Sequence, residues 1–151
     1  MDDDIPPLLP PDQAPPINTA EDMRRRWRAL MGELGFSERL LWFTFVSADG
    51  RQAPMLQQVT DLPMDPDDKL VENLMWICDE VLRATDHPDG SVALLLSRPG
   101  PAQMTDSDRA WARALTDAGR RANLQLQPIH LANDEALQVF APDDLIVAAR
   151  T

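Results

Sequence analysis

The feature that most constrains the fold is a short, unbroken apolar run, Val92-Ala93-Leu94-Leu95-Leu96, closed by Ser97-Arg98-Pro99-Gly100-Pro101. A strand with one wet face alternates apolar and polar residues, whereas a run without alternation is expected of a strand covered on both faces. Such a strand needs a layer on each side and is the candidate centre of an α/β domain. The 151 residues suffice for one such domain once a short tail is set aside.

Helices are expected on either side of this run. Thr19-Ala20-Glu21-Asp22 has the form of a capping box, and Met23, Trp27, Leu30, Met31 and Leu34 follow at helical spacing up to Gly35. Asp65-Pro66 opens a second helix whose apolar face is Leu70, Val71, Leu74, Ile77, Cys78, Val81 and Leu82. A third begins at Thr105 and carries Trp111, Ala114, Leu115, Ala118 and Ala122. Residues 40–46 and 55–59, joined by Ser47-Ala48-Asp49-Gly50, read as a hairpin, and residues 124–131 and 136–140 as another, turning at Asn133-Asp134. His87-Pro88-Asp89-Gly90 reads as a turn before the central strand. The expected fold is α/β of the α+β type, a single mixed sheet with flanking helices, ordered helix, strand, strand, helix, strand, helix, strand, strand.

Residues 1–18 differ in composition. They hold Asp2, Asp3 and Asp4 and six of the fourteen prolines, which predicts a disordered, acidic, proline-rich tail ahead of one domain over residues 19–151. Pro7-Leu8-Leu9-Pro10 has the spacing of a polyproline ligand, but the pattern is short and a plain linker explains it.

A net charge of −11 opposes approach to phosphate backbones, so no nucleic-acid partner is expected. Arg24, Arg25, Arg26 and Arg28 form a local exception, read either as a solvated helix face or as a patch for an acidic partner surface. Cys78 is the single cysteine, which excludes an internal disulfide or a cysteine-based zinc cluster, and at an apolar helix position it reads as a buried thiol. No leader pattern or bilayer-length apolar stretch occurs, so a cytoplasmic protein without membrane contact is expected. No glycine-rich phosphate loop or nucleophile elbow is present, and no cofactor is expected. Asp65, Asp67 and Asp68 are explained by favourable charge at a helix start.

Over residues 40–144 the order of elements resembles the RadC-type branch of the JAB (JAMM, MPN) superfamily, a zinc-hydrolase fold related to the cytidine-deaminase architecture, with residues 19–36 as an additional N-terminal helix. In that family the central strand leads into His-x-His-Pro and then Ser-x-x-Asp at a helix start, and the two histidines and the aspartate bind zinc. Here the corresponding residues read Leu96-Ser97-Arg98-Pro99 and Thr105-Asp106-Ser107-Asp108. Leu96 and Arg98 thus stand where the resemblance places histidines, and the loop is one residue shorter. Gln127-Pro128 stands where RadC-type proteins carry Asp-His, and no glutamate lies between Arg39 and Val71, where the family has its general base. Zinc hydrolysis needs about three protein ligands and a carboxylate base, so the resemblance implies a form without catalytic, cofactor-binding or metal-binding residues.

Arg98, Thr105, Asp108 and His130 are the candidate lining of the remnant cleft. Thr105 and Asp108 also read simply as a capping box, and His130 as a structural imidazole. Tryptophans 27, 76 and 111 each fall on a helix, where packing is the default role. Trp27, with Arg24, Arg25 and Arg28, is also a candidate partner contact or self-association surface. The resulting expectation is a non-catalytic binding or scaffold protein of JAB-like fold, contacting a protein partner or its own copy through residues 97–104 and the N-terminal segment. The alternative is a hydrolase or transferase with a remodelled, metal-independent cleft, which requires Arg98, Asp108 and His130 to converge.

Overall fold

The computed structural model describes residues 5–10, 13–85 and 89–145. Asp2, Asp3 and Asp4, and the expected turn residues His87 and Pro88, lie outside the described residues. Three helices flank a single mixed sheet. The elements run α1 (Ala20–Met31), β1 (Leu40–Val46), β2 (Gln57–Val59), α2 (Asp68–Ala84), β3 (Ser91–Ser97), α3 (Asp106–Arg121), β4 (Gln125–Leu126), β5 (His130–Ala132) and β6 (Leu137–Val139), followed by a 3-10 turn at Pro142–Leu145.

The apolar run is the centre of the sheet. Every residue of β3 is buried, with β1 antiparallel on one side over the full register Leu40↔Ser97 to Val46↔Ser91 and β4 and β5 parallel on the other. The order across the sheet is β2-β1-β3-β5-β6, and β4 pairs with the first half of β3. Alternate residues of β3 enter different cores. Val92, Leu94 and Leu96 pack with Leu41, Phe43, Phe45, Leu74, Trp111 and Leu115 under α2 and α3, while Ala93 and Leu95 meet Met23, Trp27, Ala132 and Leu137 under α1. This two-sided cover is why the strand has no polar alternation.

The stretch expected as one strand over residues 124–131 is two, β4 and β5, both lying along β3. Pro128 lies between them and has no N–H to give the ladder. Gln127 still donates its backbone N–H to the Val92 carbonyl at 2.8 Å, and pairing resumes at His130. The expected hairpin over the last two strands is formed by β5 and β6.

The helix starts follow the capping chemistry. Thr19 and Asp22 close a reciprocal capping box on α1, and Thr105 and Asp108 do so on α3. The α2 helix is capped by Asp67, two residues beyond Asp65, and α1 ends at Met31 against Gly32, before Gly35. Gly119 brings α3 down on β4, since a Cβ there would lie 2.6 Å from Leu126 Cδ1.

The end of the expected disordered tail is anchored. Ile17 is 4% exposed and packs in the α1-side core. Its N–H donates to the Gly50 carbonyl at 2.8 Å, and the buried Arg26 donates to the Pro15 carbonyl at 2.6 Å and to Gln52 Oε1 at 2.9 Å. Residues 15–18 therefore belong to the packed unit, because an apolar side chain and a buried guanidinium both require them. Among the described residues no helix is long and apolar enough to cross a membrane.

Candidate functional site

Ser97 ends β3 and the next residue, Arg98, turns toward α3. Its backbone N–H still bonds the Ala132 carbonyl at 3.0 Å, which fixes the direction in which the side chain leaves the sheet. The α3 capping box sets Asp108 at the start of the facing helix, with its N–H on Thr105 Oγ1 at 3.1 Å and its Oδ2 accepting from the Thr105 N–H at 2.9 Å. The two side chains meet in the interior. Arg98 Nε lies 2.9 and 3.0 Å from the two Asp108 oxygens, and Nη2 lies 2.8 Å from Oδ2.

The rest of the guanidinium faces the loop over residues 99–104. Nη1 donates to the Pro99 and Pro101 carbonyls at 3.0 and 3.1 Å, and Nη2 to the Gln103 carbonyl at 2.9 Å. All five N–H donors of the arginine are thereby used. Arg98 is 4% exposed and Asp108 1%. Burial pushes the Asp108 carboxyl up, but the Arg98 hydrogen bonds and charge, together with Thr105, outweigh it and hold the group below the usual carboxylate range. Arg39 adds a more distant cation at 3.6 Å from Oδ1.

The outside of the same loop is tied to the β5–β6 turn. Asp134 accepts from the Gly100 N–H at 2.8 Å and from the Phe36 N–H at 3.1 Å. Glu135 accepts from the Ala102 N–H at 2.8 Å, and Gln138 Nε2 donates to the Ala102 carbonyl at 2.7 Å. Buried Asn133 closes the turn by accepting from the N–H groups of Glu135 and Ala136. The loop is held from within by one cation and from without by two carboxylates. The sequence signal for Asp134 is its turn position alone, which does not disclose a partner more than thirty residues away.

His130 is not part of this cluster. It pairs with Leu95, whose side chain lies in the core under α1, whereas Asp108 belongs to α3 on the opposite face of the sheet. Its Nδ1 lies 3.1 Å from the Pro128 carbonyl, which can only accept, so Nδ1 carries the proton. Nε2 is buried beside the first turn of α1 and closes no regular hydrogen bond. Burial pushes the imidazole down to about 4, against the backbone of Pro128 and Ala20, which pulls it the other way. Arg98, Thr105 and Asp108 come together, and His130 stands apart.

The donors at this position do not fit a zinc ion. Leu96 offers no lone pair and a guanidinium is a cation without an acceptor. The one carboxylate present already gives both its oxygens to that cation. Among the described residues no group of three histidine, cysteine or acidic side chains stands close enough to hold a metal. Cys78 is wholly buried and burial pushes its thiol up to about 12, an inert form.

The candidate partner contacts divide. Arg25 is exposed and Arg24 and Arg28 half-buried, with Arg24 Nε 2.8 Å from Glu21 Oε1. Trp27 is fully buried under the sheet, so the helix spends its apolar stripe on the domain's own core and leaves no indole for a partner. The reverse holds for Trp76, expected to pack but 65% exposed on α2 beside Ile77, which is 44% exposed although expected on the buried face. The concavities lie away from the Arg98 cluster, and two of them adjoin β1 or β2 and α2. One, of about 300 Å³, sits between the β1–β2 hairpin and the end of α2. The other is a groove of about 560 Å³ between β2 and the first half of α2. Compared with known protein families and with curated proteins, the chain matches no family model and no individual protein.

Proposed function

We propose that this chain is a non-catalytic binding protein with a JAB-like arrangement of elements, acting in the cytoplasm through a protein partner that contacts the loop over residues 99–104. The observation that carries this reading is the saturation of Arg98. Where a zinc hydrolase needs open coordination and a water, this chain has a buried guanidinium with five filled donors and a neutralised carboxylate. The same bonds turn the loop's carbonyls inward and leave Pro99, Pro101 and Gln103 exposed, a rigid surface of low ordering cost for a partner. The alternative, a remodelled hydrolase using Arg98, Asp108 and His130, loses support because the sheet separates His130 from the other two.

Calorimetric titration of the tag-free chain with zinc, paired with elemental analysis, tests the reading. No stoichiometric uptake is expected. One tightly held zinc per chain would mean that the ligands are other residues and would return a metallohydrolase to the lead.

A further inference from the structure

A further concavity, of about 340 Å³, lies between α2 and α3. Glu72, Met75, Trp76 and Asp79 form its α2 wall, at the three- and four-residue spacing that puts side chains on one helix face. Ala118, Arg121 and Ala122, at the end of α3, form the other wall. Met75 and Ala118 are buried, whereas Trp76 is the most exposed large apolar side chain described. An indole left in water forfeits the stabilisation of burying its large apolar surface. Here it stands beside a hollow floored by methionine and alanine, so one face carries both a knob and a hole.

Charge follows the same pattern. A net charge of −11 sets most of the surface against a second copy of the chain. This concavity is balanced. Its two carboxylates, Glu72 and Asp79, are matched by two guanidiniums, the lining Arg121 and the Arg83 that pairs with Asp79 at 2.9 Å. Glu80, a turn further along α2, lies beyond the lining. Glu72 and Arg121 are both exposed, stand on opposite walls, and among the described residues close no ion pair with each other or with any other group.

We propose that this face is a homodimer contact, in which two copies meet across a two-fold axis through the α2–α3 concavity. A two-fold contact requires a surface complementary to itself, since whatever one residue meets on the other copy must meet it in return. The face meets that condition in shape and in charge. Trp76 of each copy fills the other's hollow over Met75, Ala118 and Ala122, and Glu72 of each copy faces the other's Arg121. A uniformly basic or acidic partner would answer one of these charges and oppose the other. The inference does not rest on the reading of the loop over residues 99–104.

Sedimentation equilibrium of the full-length chain, from micromolar to millimolar concentration, tests the proposal. A reversible monomer–dimer equilibrium is expected, with indole emission moving to shorter wavelength as the dimer fills. Trp76→Ser should raise the dimer Kd at least about thirtyfold, because the contact contains that side chain twice. Glu72→Arg and Arg121→Glu should each raise it roughly tenfold. The two reversals combined should bring it back to within about threefold of wild type, since they restore the opposite charges. All three positions are exposed, so the variants are expected to fold. A chain that stays monomeric throughout would overturn the proposal in favour of a different occupant. A dimer indifferent to Trp76→Ser, or a double reversal no tighter than the single ones, would overturn it as well.

Discussion

Arg98 and Asp108, ten residues apart on β3's end and α3's first turn, form a buried ion pair with Nη2 2.8 Å from Oδ2. Two opposite charges in an interior are stable only when both are fully hydrogen-bonded, since their desolvation costs several kcal/mol per ion. The three loop carbonyls and the Thr105 N–H complete the set, so the pair and the loop order each other.

Removing either member should therefore be expensive. Arg98→Met leaves a buried carboxylate and three unanswered carbonyls, and is expected to lower stability by about 3–5 kcal/mol. Asp108→Asn keeps an oxygen for the Thr105 N–H but strands the guanidinium, for about 1–3 kcal/mol. Arg98→Lys should rescue only partly, because three donors replace five. Urea unfolding of the three variants checks the order, and a stable Arg98→Met chain would contradict the structural role.

His130 sets a pH dependence of definite sign. Its folded imidazole titrates at about 4, against 6.5 when free, so the unfolded chain takes up the proton first. Stability is complete above pH 6.5 and falls as the pH drops toward 4, by roughly 3 kcal/mol in all. Asp108 acts in a separate window. Its lowered carboxyl contributes stability present above 3.8 and lost as the pH falls further. Denaturant midpoints between pH 7 and 4 should slope for the wild type and flatten for His130→Gln.

The N-terminal anchor predicts a boundary for truncation. Deletion up to Ala14 should leave the melting temperature nearly unchanged, whereas Ile17→Ala should cost about 2–4 kcal/mol by opening a cavity in the α1-side core. Gly50→Ala should be comparably harmful. Gly50 has φ +87, where a side chain is strained, and a Cβ would lie 2.9 Å from the Ile17 carbonyl oxygen. Thermal melts of the three proteins distinguish the removable residues from the anchored ones.

The tryptophans should behave oppositely. Trp111 is fully buried and donates its indole N–H to the Pro63 carbonyl at 3.1 Å, so Trp111→Ala is expected to cost about 3–5 kcal/mol. Trp76→Ser should stay within about 0.5 kcal/mol of wild type while removing the exposed component of the emission spectrum. Fluorescence and urea midpoints measured together check both statements.

The amino-acid sequence by itself determined the central strand, the two capping boxes, the three helices and the closing turn. Each of these rests on local physics: unbroken apolar character over residues 92–96, hydroxyl and carboxylate groups three residues apart at Thr19 and Thr105, and helical spacing of apolar side chains. Pro128 showed where a ladder bond would fail, although its result, one strand becoming β4 and β5, needed the β3 partner to be seen. Tertiary structure decided which groups meet. Arg98 and His130 looked equally available to a cleft, yet strand register sent one toward α3 and the other toward α1. Trp27 and Trp76 occupy similar helical positions, and only the packing of α1 against the sheet buried the first while α2 turned the second outward. Ile17 has the neighbours of a tail residue, and its burial comes from Gly50 and Arg26, which sequence distance conceals. Side-chain direction across a sheet and contacts between distant segments are non-local quantities, and they determined where the candidate site is closed and where the surface is open.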